Sequence, residues 1–304
     1  MADDPQPRPR RTDEEIVQEL LVLLDVEELD ADLYRGHRQP GGRGRVFGGQ
    51  VIAQGLQAAQ RSVEGKTAHS LHAYFMRPGN EDYPITYRVV RDFDGGSFAN
   101  RRVIAMQRGV PILNMTASFQ RAEDGLHHQD AMPDVPPPEE LKSEQELRRE
   151  KIDQIPEGMR PFFLRRRPIE IRPVTPRDWI NPEKAPPLWH SWFRAIAPLP
   201  DDPATHRAVL SYASDMSLLG TALLPHGLTW LRPDFQTASL DHAVWLHEPF
   251  RADEWLLYAT DSPWAGHARG FNRGKIFTRD GRLVASTAQE GLMRLRNEDR
   301  AGTN

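Results

Sequence analysis

The chain has 304 residues, of which 38% are hydrophobic and 27% are charged, a composition typical of a globular protein with one large or two average domains. The absence of cysteine excludes disulfides, thiolate metal sites, iron–sulfur clusters and a cysteine nucleophile. The 39 basic and 43 acidic side chains nearly balance, so we expect no nucleic-acid partner.

The N-terminal segment, residues 1–11, is charged and proline-rich and has no apolar core. We therefore predict that it is disordered and that it is not a secretory signal. No stretch of the chain approaches the ~20 apolar residues that a membrane-spanning helix needs. We predict no membrane insertion and a cytoplasmic location.

Two helices and four strands are predicted in the first half. Thr12 and Glu15 have the spacing of a capping box, and apolar residues follow at helical intervals, so the first helix covers about 13–25. Small and apolar residues after Gly48-Gly49 predict a second, buried helix over 50–59, whose glycines allow another backbone to approach closely. Strand-forming segments separated by glycine turns follow at His69–Met76, Ile85–Asp92, Ser97–Gln107 and Pro111–Gln120.

The second half repeats this order of elements. A polar, proline-rich linker over 122–167, with one predicted helix at Ser143–Ile152, separates the halves. Helical spacing predicts a long helix over Ala208–Leu224. The predicted strands are Ile169–Val174, Leu188–Ala197, Ala238–Leu246, Trp255–Asp261, Ala268–Thr278 and Leu283–Met293.

A fixed offset relates the two halves. Arg77-Pro78 matches Glu248-Pro249, and Thr116-Ala117 matches Thr287-Ala288, both at 171 residues. This favours a duplicated domain over a chance likeness of two α+β domains. One long helix wrapped by an antiparallel sheet is the hotdog layout, so we predict an α+β double hotdog with its sheets joined edge to edge, which removes exposed edges. The predicted boundaries are 1–11 for the N-terminus, 12–121 for the first hotdog domain, 122–167 for the linker, 168–295 for the second hotdog domain and 296–304 for the C-terminal tail.

Three segments of the second half carry side chains suited to catalysis. Asp215 is expected near the start of the second helix, as either an N-cap or a base beside N–H groups that hold an oxyanion. Ser239 and His242 are expected on opposite faces of one strand, which favours a strand start with hydrogen-bonding side chains over a nucleophile–base pair. Gln289 either orients a water or faces solvent. The sequence contains no nucleophile elbow, P-loop or metal-ligand spacing, so we predict no metal and no cofactor.

In combination, motifs along residues 15–295 resemble the acyl-CoA thioesterase II family, which includes bacterial thioesterase II and peroxisomal acyl-CoA thioesterases. The motifs of the first half are Val46–Gln50, His69–Gly79 and Met115–Gln120. Those of the second half are Tyr212–Asp215, Pro225–Gly227, Ser239–Trp245, Glu254–Tyr258, Ala268–Gly270 and Val284–Gly291. Each motif is weak alone, but the ordered set is specific. The fold of the family is the double hotdog.

The resemblance implies a function and its residues. In this family an Asp, a Thr or Ser, and a Gln activate water against a thioester, and the matched positions are Asp215, Ser239 and Gln289. Position 239 is Thr in the well-known bacterial member, and the hydroxyl is kept here with less side-chain restraint. We expect one site per chain, near the junction of the hotdog units, because the first half has Gln50 where an equivalent Asp is expected and Ser118 at the offset from Gln289.

The resemblance also implies an acyl-CoA substrate. Its phosphates call for basic side chains at the mouth of the site. The candidates for these contacts are Arg77, Arg101, Arg269 and Arg273. Because hotdog sheets commonly assemble, we expect a homo-oligomer, a dimer or a tetramer.

Two other functions stay open at this point. A hotdog enoyl-CoA hydratase would carry an Asp-x-Asn-Pro-x-His type motif, but Asp178–Pro182 has one residue too many and His190 comes too late. A non-catalytic acyl-CoA-binding protein is the second alternative. The intact set of Asp215, Ser239 and Gln289 argues against it.

Overall fold

Residues 11–39 and 44–296 are described by the structure, which is a computed structural model. The predicted disordered segment over 1–11 and the predicted tail over 296–304 lie almost wholly outside the described residues. Within the described ranges, no helix is long and apolar enough to cross a membrane.

The described residues form five α-helices and thirteen strands. The helices are α1 (Asp13–Leu24), α2 (Gly48–Arg61), α3 (Glu144–Glu150), α4 (Arg160–Leu164) and α5 (Pro203–Ser214). The strands of the first half are β1 (Val26–Asp30), β2 (Leu33–Gly36), β3 (Thr67–Phe75), β4 (Ile85–Asp94), β5 (Phe98–Gln107) and β6 (Val110–Gln120). The strands of the second half are β7 (Ile169–Pro173), β8 (Leu188–Ala195), β9 (Phe235–Ser239), β10 (Asp241–Leu246), β11 (Leu256–Gly266), β12 (Arg269–Thr278) and β13 (Leu283–Leu295). The 3₁₀ helices are Pro138–Glu140, Ile152–Gln154, Glu157–Met159 and Leu218–His226.

All of these strands belong to one antiparallel sheet whose order is palindromic. The order is β1-β2-β4-β5-β6-β3-β10-β13-β12-β11-β8-β7, and β9 pairs with β13 outside this path. Each strand of the first half thus has a counterpart at the mirrored place in the second half. The halves meet where β3 pairs with β10, for example at Leu71 and Val244. The predicted edge-to-edge double hotdog is confirmed.

Helices α2 and α5 pack against each other, and α2 packs against the strands of the first half. At the end of α5, the carbonyl of Ser214 accepts a hydrogen bond from the Tyr258 hydroxyl of β11. Ala53, Leu56 and Ala59 of α2 are fully buried, as are Val209 and Leu210 of α5. Burial of a Leu or Val side chain contributes about 1.5–3 kcal/mol, so this layer is a main source of stability. The small residues of α2 let the helix lie close to its neighbours.

The helix of the second half begins earlier than predicted. It starts at Pro203 rather than Ala208, because the side chain of Asp202 accepts hydrogen bonds from the N–H groups of Ala204 and Thr205 and proline fits the first turn. It ends at Ser214, and the chain continues as the 3₁₀ helix. The prediction of one long helix over 208–224 is therefore wrong.

The linker over 122–167 contains ordered structure. Its predicted helix is confirmed as α3, whose capping box joins Ser143 and Glu146. The indole N–H of Trp192 donates a hydrogen bond to the Pro136 carbonyl at 2.9 Å, so the linker packs on the sheet of the second half. The domain boundaries themselves stay predictions.

Candidate functional site

Asp215 lies at the C-terminal end of α5, not near the start of a helix as predicted. The reason is the early helix start at Pro203, which places residue 215 after the last helical turn. The carboxylate nevertheless accepts a hydrogen bond from a helix N-terminus, because the N–H of Gly49 in the first turn of α2 donates to it. Asp215 therefore joins the two halves of the molecule.

Close approach at this point depends on two glycines. A Cβ on Gly48 would lie 2.7 Å from Oδ2 of Asp215 and 2.8 Å from the ring of Phe75. A Cβ on Gly49 would lie 2.4 Å from the carbonyl oxygen of Tyr212. The expectation that these glycines admit another backbone is confirmed.

The Asp215 carboxyl is held by hydrogen-bond donors in a dry environment. Its side chain is 5% exposed. The Gln289 amide Nε2 donates to its Oδ1 at 2.6 Å, and the Ser239 side chain hydrogen-bonds to it as well. Burial raises the pKa of Asp215 from 3.8 to about 6, while the hydrogen bonds from Gln289, Gly49 and Ser239 lower it in part. A base with this pKa is largely ionised at neutral pH and still accepts a proton readily.

Gln289 connects the site to the sheet. It lies in the middle of β13 on the buried face and is fully buried. Its Nε2 is 3.2 Å from the hydroxyl of Ser239, at the end of β9. Its Oε1 is buried and has no hydrogen-bond partner among the described residues. The three residues that the family resemblance implied are thus brought together.

The prediction that Ser239 and His242 point to opposite faces is wrong. The chain leaves the strand at Leu240, whose N–H bonds to the carbonyl of Glu290 and whose carbonyl accepts from Phe75. This break interrupts the strand between β9 and β10. Both side chains consequently contact Gln289.

His242 is a site residue that sequence reasoning did not select. It is fully buried, and its Nδ1 is 3.1 Å from Nε2 of Gln289. Its Nε2 is 2.8 Å from the hydroxyl of Ser214, which donates its hydrogen to the Ser211 carbonyl. His242 must therefore donate from Nε2 and accept at Nδ1. Burial lowers its pKa to about 3, so the ring is neutral, and it directs the amide hydrogens of Gln289.

The only sequence signal for His242 was its place in the segment Ser239–Trp245. Strand alternation concealed the role, because the break at Leu240 follows from tertiary hydrogen bonds. Asp178, considered for a hydratase motif, lies elsewhere. It accepts from the N–H groups of Ile180 and Asn181 in a turn and pairs with Lys151.

The first half has no equivalent set of residues. Ser62 ends α2 in the same way that Asp215 ends α5. The expectation that Gln50 occupies the position equivalent to Asp215 is therefore wrong. In β6, the position equivalent to Gln289 is occupied by the buried residue Ala117. Strand pairing shows that equivalent positions of β6 and β13 differ by 172 in residue number, not 171. Ser118 lies on the other face of β6. The structure therefore contains the Asp–Ser–Gln arrangement in the second half alone, among the residues described.

Arg101 is part of the fold. It is 1% exposed, and its guanidinium donates to Ser62, to two backbone carbonyls of β4 and β5, and to Asp94 at 2.6 Å. This placement leaves no face of the Arg101 guanidinium open to a phosphate.

The other three predicted arginines are exposed. Arg273 pairs with Asp261 at 2.5 Å, and Arg269 pairs with Glu290 at 3.2 Å. Arg269 pairs with Leu292 and Arg273 pairs with Ala288 across β12 and β13. Leu292 and Ala288 lie on the face of β13 opposite to that of Gln289. Arg77 donates to the carbonyl of Pro111. The structure does not bring these side chains to the Asp215 site.

Comparisons with known proteins agree with the motifs. Family models described as acyl-CoA thioesterase and as its N-terminal domain match residues 161–292 and 37–120. Human acyl-coenzyme A thioesterase 8 is 42% identical over 284 residues, which span 90% of this chain and 88% of that protein. Acyl-CoA thioesterase 2 of Haemophilus influenzae is 39% identical over 281 residues, which span 92% and 98%.

A solved structure gives the same result in three dimensions. The acyl-CoA thioesterase II TesB2 of Mycobacterium marinum has a TM-score of 0.75 and 43% identity, over 92% of this chain and 99% of that one. The two family models cover both halves, and the model over 161–292 includes Asp215, Ser239 and Gln289. The chain therefore belongs to the acyl-CoA thioesterase II family and is a thioester hydrolase.

Proposed function

We propose that the protein hydrolyses acyl-CoA thioesters to a free fatty acid and CoA, using a water molecule activated by Asp215, Ser239 and Gln289. The observation that carries this proposal is the convergence of a buried carboxylate, a hydroxyl and an amide on one point, with Gln289 within 2.6 Å of Asp215 and 3.2 Å of Ser239. The names of the relatives support the substrate class.

The chemistry needs a proton acceptor and fixed dipoles. The water oxygen forms a bond to the thioester carbonyl carbon while Asp215 accepts its proton. The tetrahedral intermediate then collapses, the carbon–sulfur bond breaks, and the CoA thiolate takes up a proton. Asp215 suits the first step because its pKa of about 6 lies just below neutral pH.

The other side chains fix the geometry of the water. Ser239 and the amide of Gln289 hold the carboxylate in one orientation, and Oε1 of Gln289 is left to accept a hydrogen bond from the water. The positive end of the α2 dipole, at Gly48 and Gly49 beside Asp215, stabilises the developing oxyanion. This arrangement requires no covalent acyl-enzyme, in keeping with a chain that contains no cysteine.

A thiol-release assay over short, medium and long acyl-CoA substrates tests the proposal. We expect free CoA and free acid in equal amounts, with a rate that depends on chain length. Hydration of crotonyl-CoA without thiol release would show a hydratase instead. Tight binding of every acyl-CoA with no turnover would show a non-catalytic binding protein. The cytoplasmic location and the homo-oligomer stay predictions from the sequence.

A further inference from the structure

A cavity of about 410 Å³ opens beside the Asp215 site. Its inner end is formed by residues that flank the site from both halves, namely Phe47 and Gln50 at the start of α2 and Tyr212 and Met216 on either side of Asp215. The rings of Phe47 and Tyr212 pack edge to face, with centroids 5.0 Å apart. The volume and the apolar inner wall are usual for a small-molecule site between domains.

The outer part of the cavity is basic. Its lining includes two glutamates, Glu19 and Glu81, against five arginines, which are Arg11, Arg45, Arg165, Arg166 and Arg167. Arg11 pairs with Glu19, and Arg166 pairs with Asp13. Within the described ranges, Arg45, Arg165 and Arg167 form no ion pair. The cavity therefore presents uncompensated positive charge.

Arg167 is the most informative of these side chains. It is only partly exposed, and burial together with the neighbouring Arg148 lowers its pKa, whereas Glu144 and Tyr212 act in the opposite direction. Glu144 is already paired with Arg148 at 2.6 Å. Burial of a guanidinium without a carboxylate partner is unfavourable in free energy, and a bound anionic ligand removes this cost.

We propose that this cavity binds the nucleotide end of CoA, with Arg45, Arg165 and Arg167 on its phosphates and the pantetheine arm passing inward along Phe47 and Met216. The inference rests on the proposed function and specifies where its substrate enters. Arginine suits phosphate because its planar fork donates two parallel hydrogen bonds. A cleft of one charge sign also raises the local concentration of an anionic substrate.

The test uses the variant Arg165→Ala/Arg167→Gln in the full chain. Steady-state kinetics are measured with acyl-CoA and with the matching acyl-pantetheine, which has the same thioester but no phosphate. Calorimetry with adenosine 3′,5′-bisphosphate, the nucleotide end of CoA, measures phosphate binding without turnover. Arg88→Ala, an exposed arginine of β4, is the control, and circular dichroism verifies that each variant is folded.

We expect the KM for acyl-CoA and the dissociation constant of the nucleotide to rise at least tenfold, which is about 1.4 kcal/mol, in the double variant only. Activity on acyl-pantetheine should stay unchanged. The inference is overturned if the KM for acyl-CoA is unchanged, if both substrates are affected equally, or if Arg77→Ala, Arg269→Ala or Arg273→Ala produces the effect instead. Nucleotide binding by a protein that does not hydrolyse acyl-CoA would refute the proposed function and leave this site standing.

Discussion

The carboxylate of Asp215, at the end of α5, accepts a hydrogen bond from the backbone N–H of Gly49, at the start of α2. The two residues belong to different halves of the duplicated chain. The site is therefore a product of the docking between the halves. Neither half alone holds all three donors to this buried carboxylate, because Gln289 and Ser239 belong to the second half and Gly49 to the first.

We expect Gly49→Ala to damage both stability and catalysis. Its Cβ would lie 2.4 Å from the carbonyl oxygen of Tyr212, a backbone atom that cannot move independently. The free energy of unfolding should fall by about 1–3 kcal/mol, and kcat should fall with it because α2 must shift away from Asp215. Gly96→Ala is the control, since a Cβ there meets nothing within 4 Å. Urea denaturation and thiol release measure both effects, and equal behaviour of the two variants would refute the close approach.

Asp215→Asn should stabilise the protein at alkaline pH. The pKa of Asp215 is raised from 3.8 to about 6 in the folded state, so the folded protein binds a proton more tightly than the unfolded chain. Stability is therefore lost as the pH rises from about 4 to about 6, and the loss is complete above that range. Asparagine removes this loss, which is about 3 kcal/mol at most at pH 8. The gain should shrink as the pH falls below 6. Denaturant unfolding at pH 8 and pH 5 checks the sign, with Asp124→Asn as an exposed control, and a gain independent of pH would contradict it.

His242→Phe should lower kcat at least tenfold with little change in KM. The phenyl ring fills a similar volume but cannot accept the hydrogen bond of Gln289 or donate to Ser214. His242→Asn restores an acceptor and a donor and should recover part of the rate. His72→Phe is the matched control, because His72 is exposed on β3 and packs against Trp245. Steady-state thiol release measures kcat and KM of each variant. Full activity of His242→Phe would contradict a role for His242 in positioning Gln289.

Arg101→Ala should lower the free energy of unfolding by about 2–4 kcal/mol without raising the KM for acyl-CoA. Truncation leaves a cavity and deprives Ser62 and several carbonyls of their donor. The adjacent Arg102→Ala is the control, because Arg102 forms an exposed ion pair with Asp92 that contributes little. A raised KM in a fully stable Arg101→Ala variant would restore its predicted role in binding CoA.

Local sequence patterns predict most of the helices and strands of the fold. The capping box of Thr12 and Glu15, the small residues of α2 and the alternation of the long strands are local signals, and they predicted elements close to those observed. The sequence of the β1–β2 hairpin has no strong alternating pattern and therefore does not predict these two strands. The register of the repeat was one residue off in β6, where only strand pairing distinguishes Ala117 from Ser118.

The family resemblance predicts the site residues, whereas local sequence patterns alone do not. Alternation along one strand separates Ser239 from His242, and only the tertiary hydrogen bonds of Leu240 break that strand and bring both to Gln289. Burial of Asp215 and its bond to Gly49 likewise depend on how α2 and α5 dock. Such long-range contacts leave no periodic signal in a single sequence.

The central claim is that the Asp215 carboxylate is the base that activates water, and the most direct test is the steady-state rate of thiol release by Asp215→Asn beside the wild type over a range of pH. We predict that kcat falls at least a hundredfold while KM changes little, since general-base catalysis contributes about 10²–10⁴. The wild-type kcat/KM should fall below an apparent pKa of about 6, because a protonated Asp215 cannot accept a proton. Near wild-type turnover by Asp215→Asn, with the same acid limb, would contradict the claim.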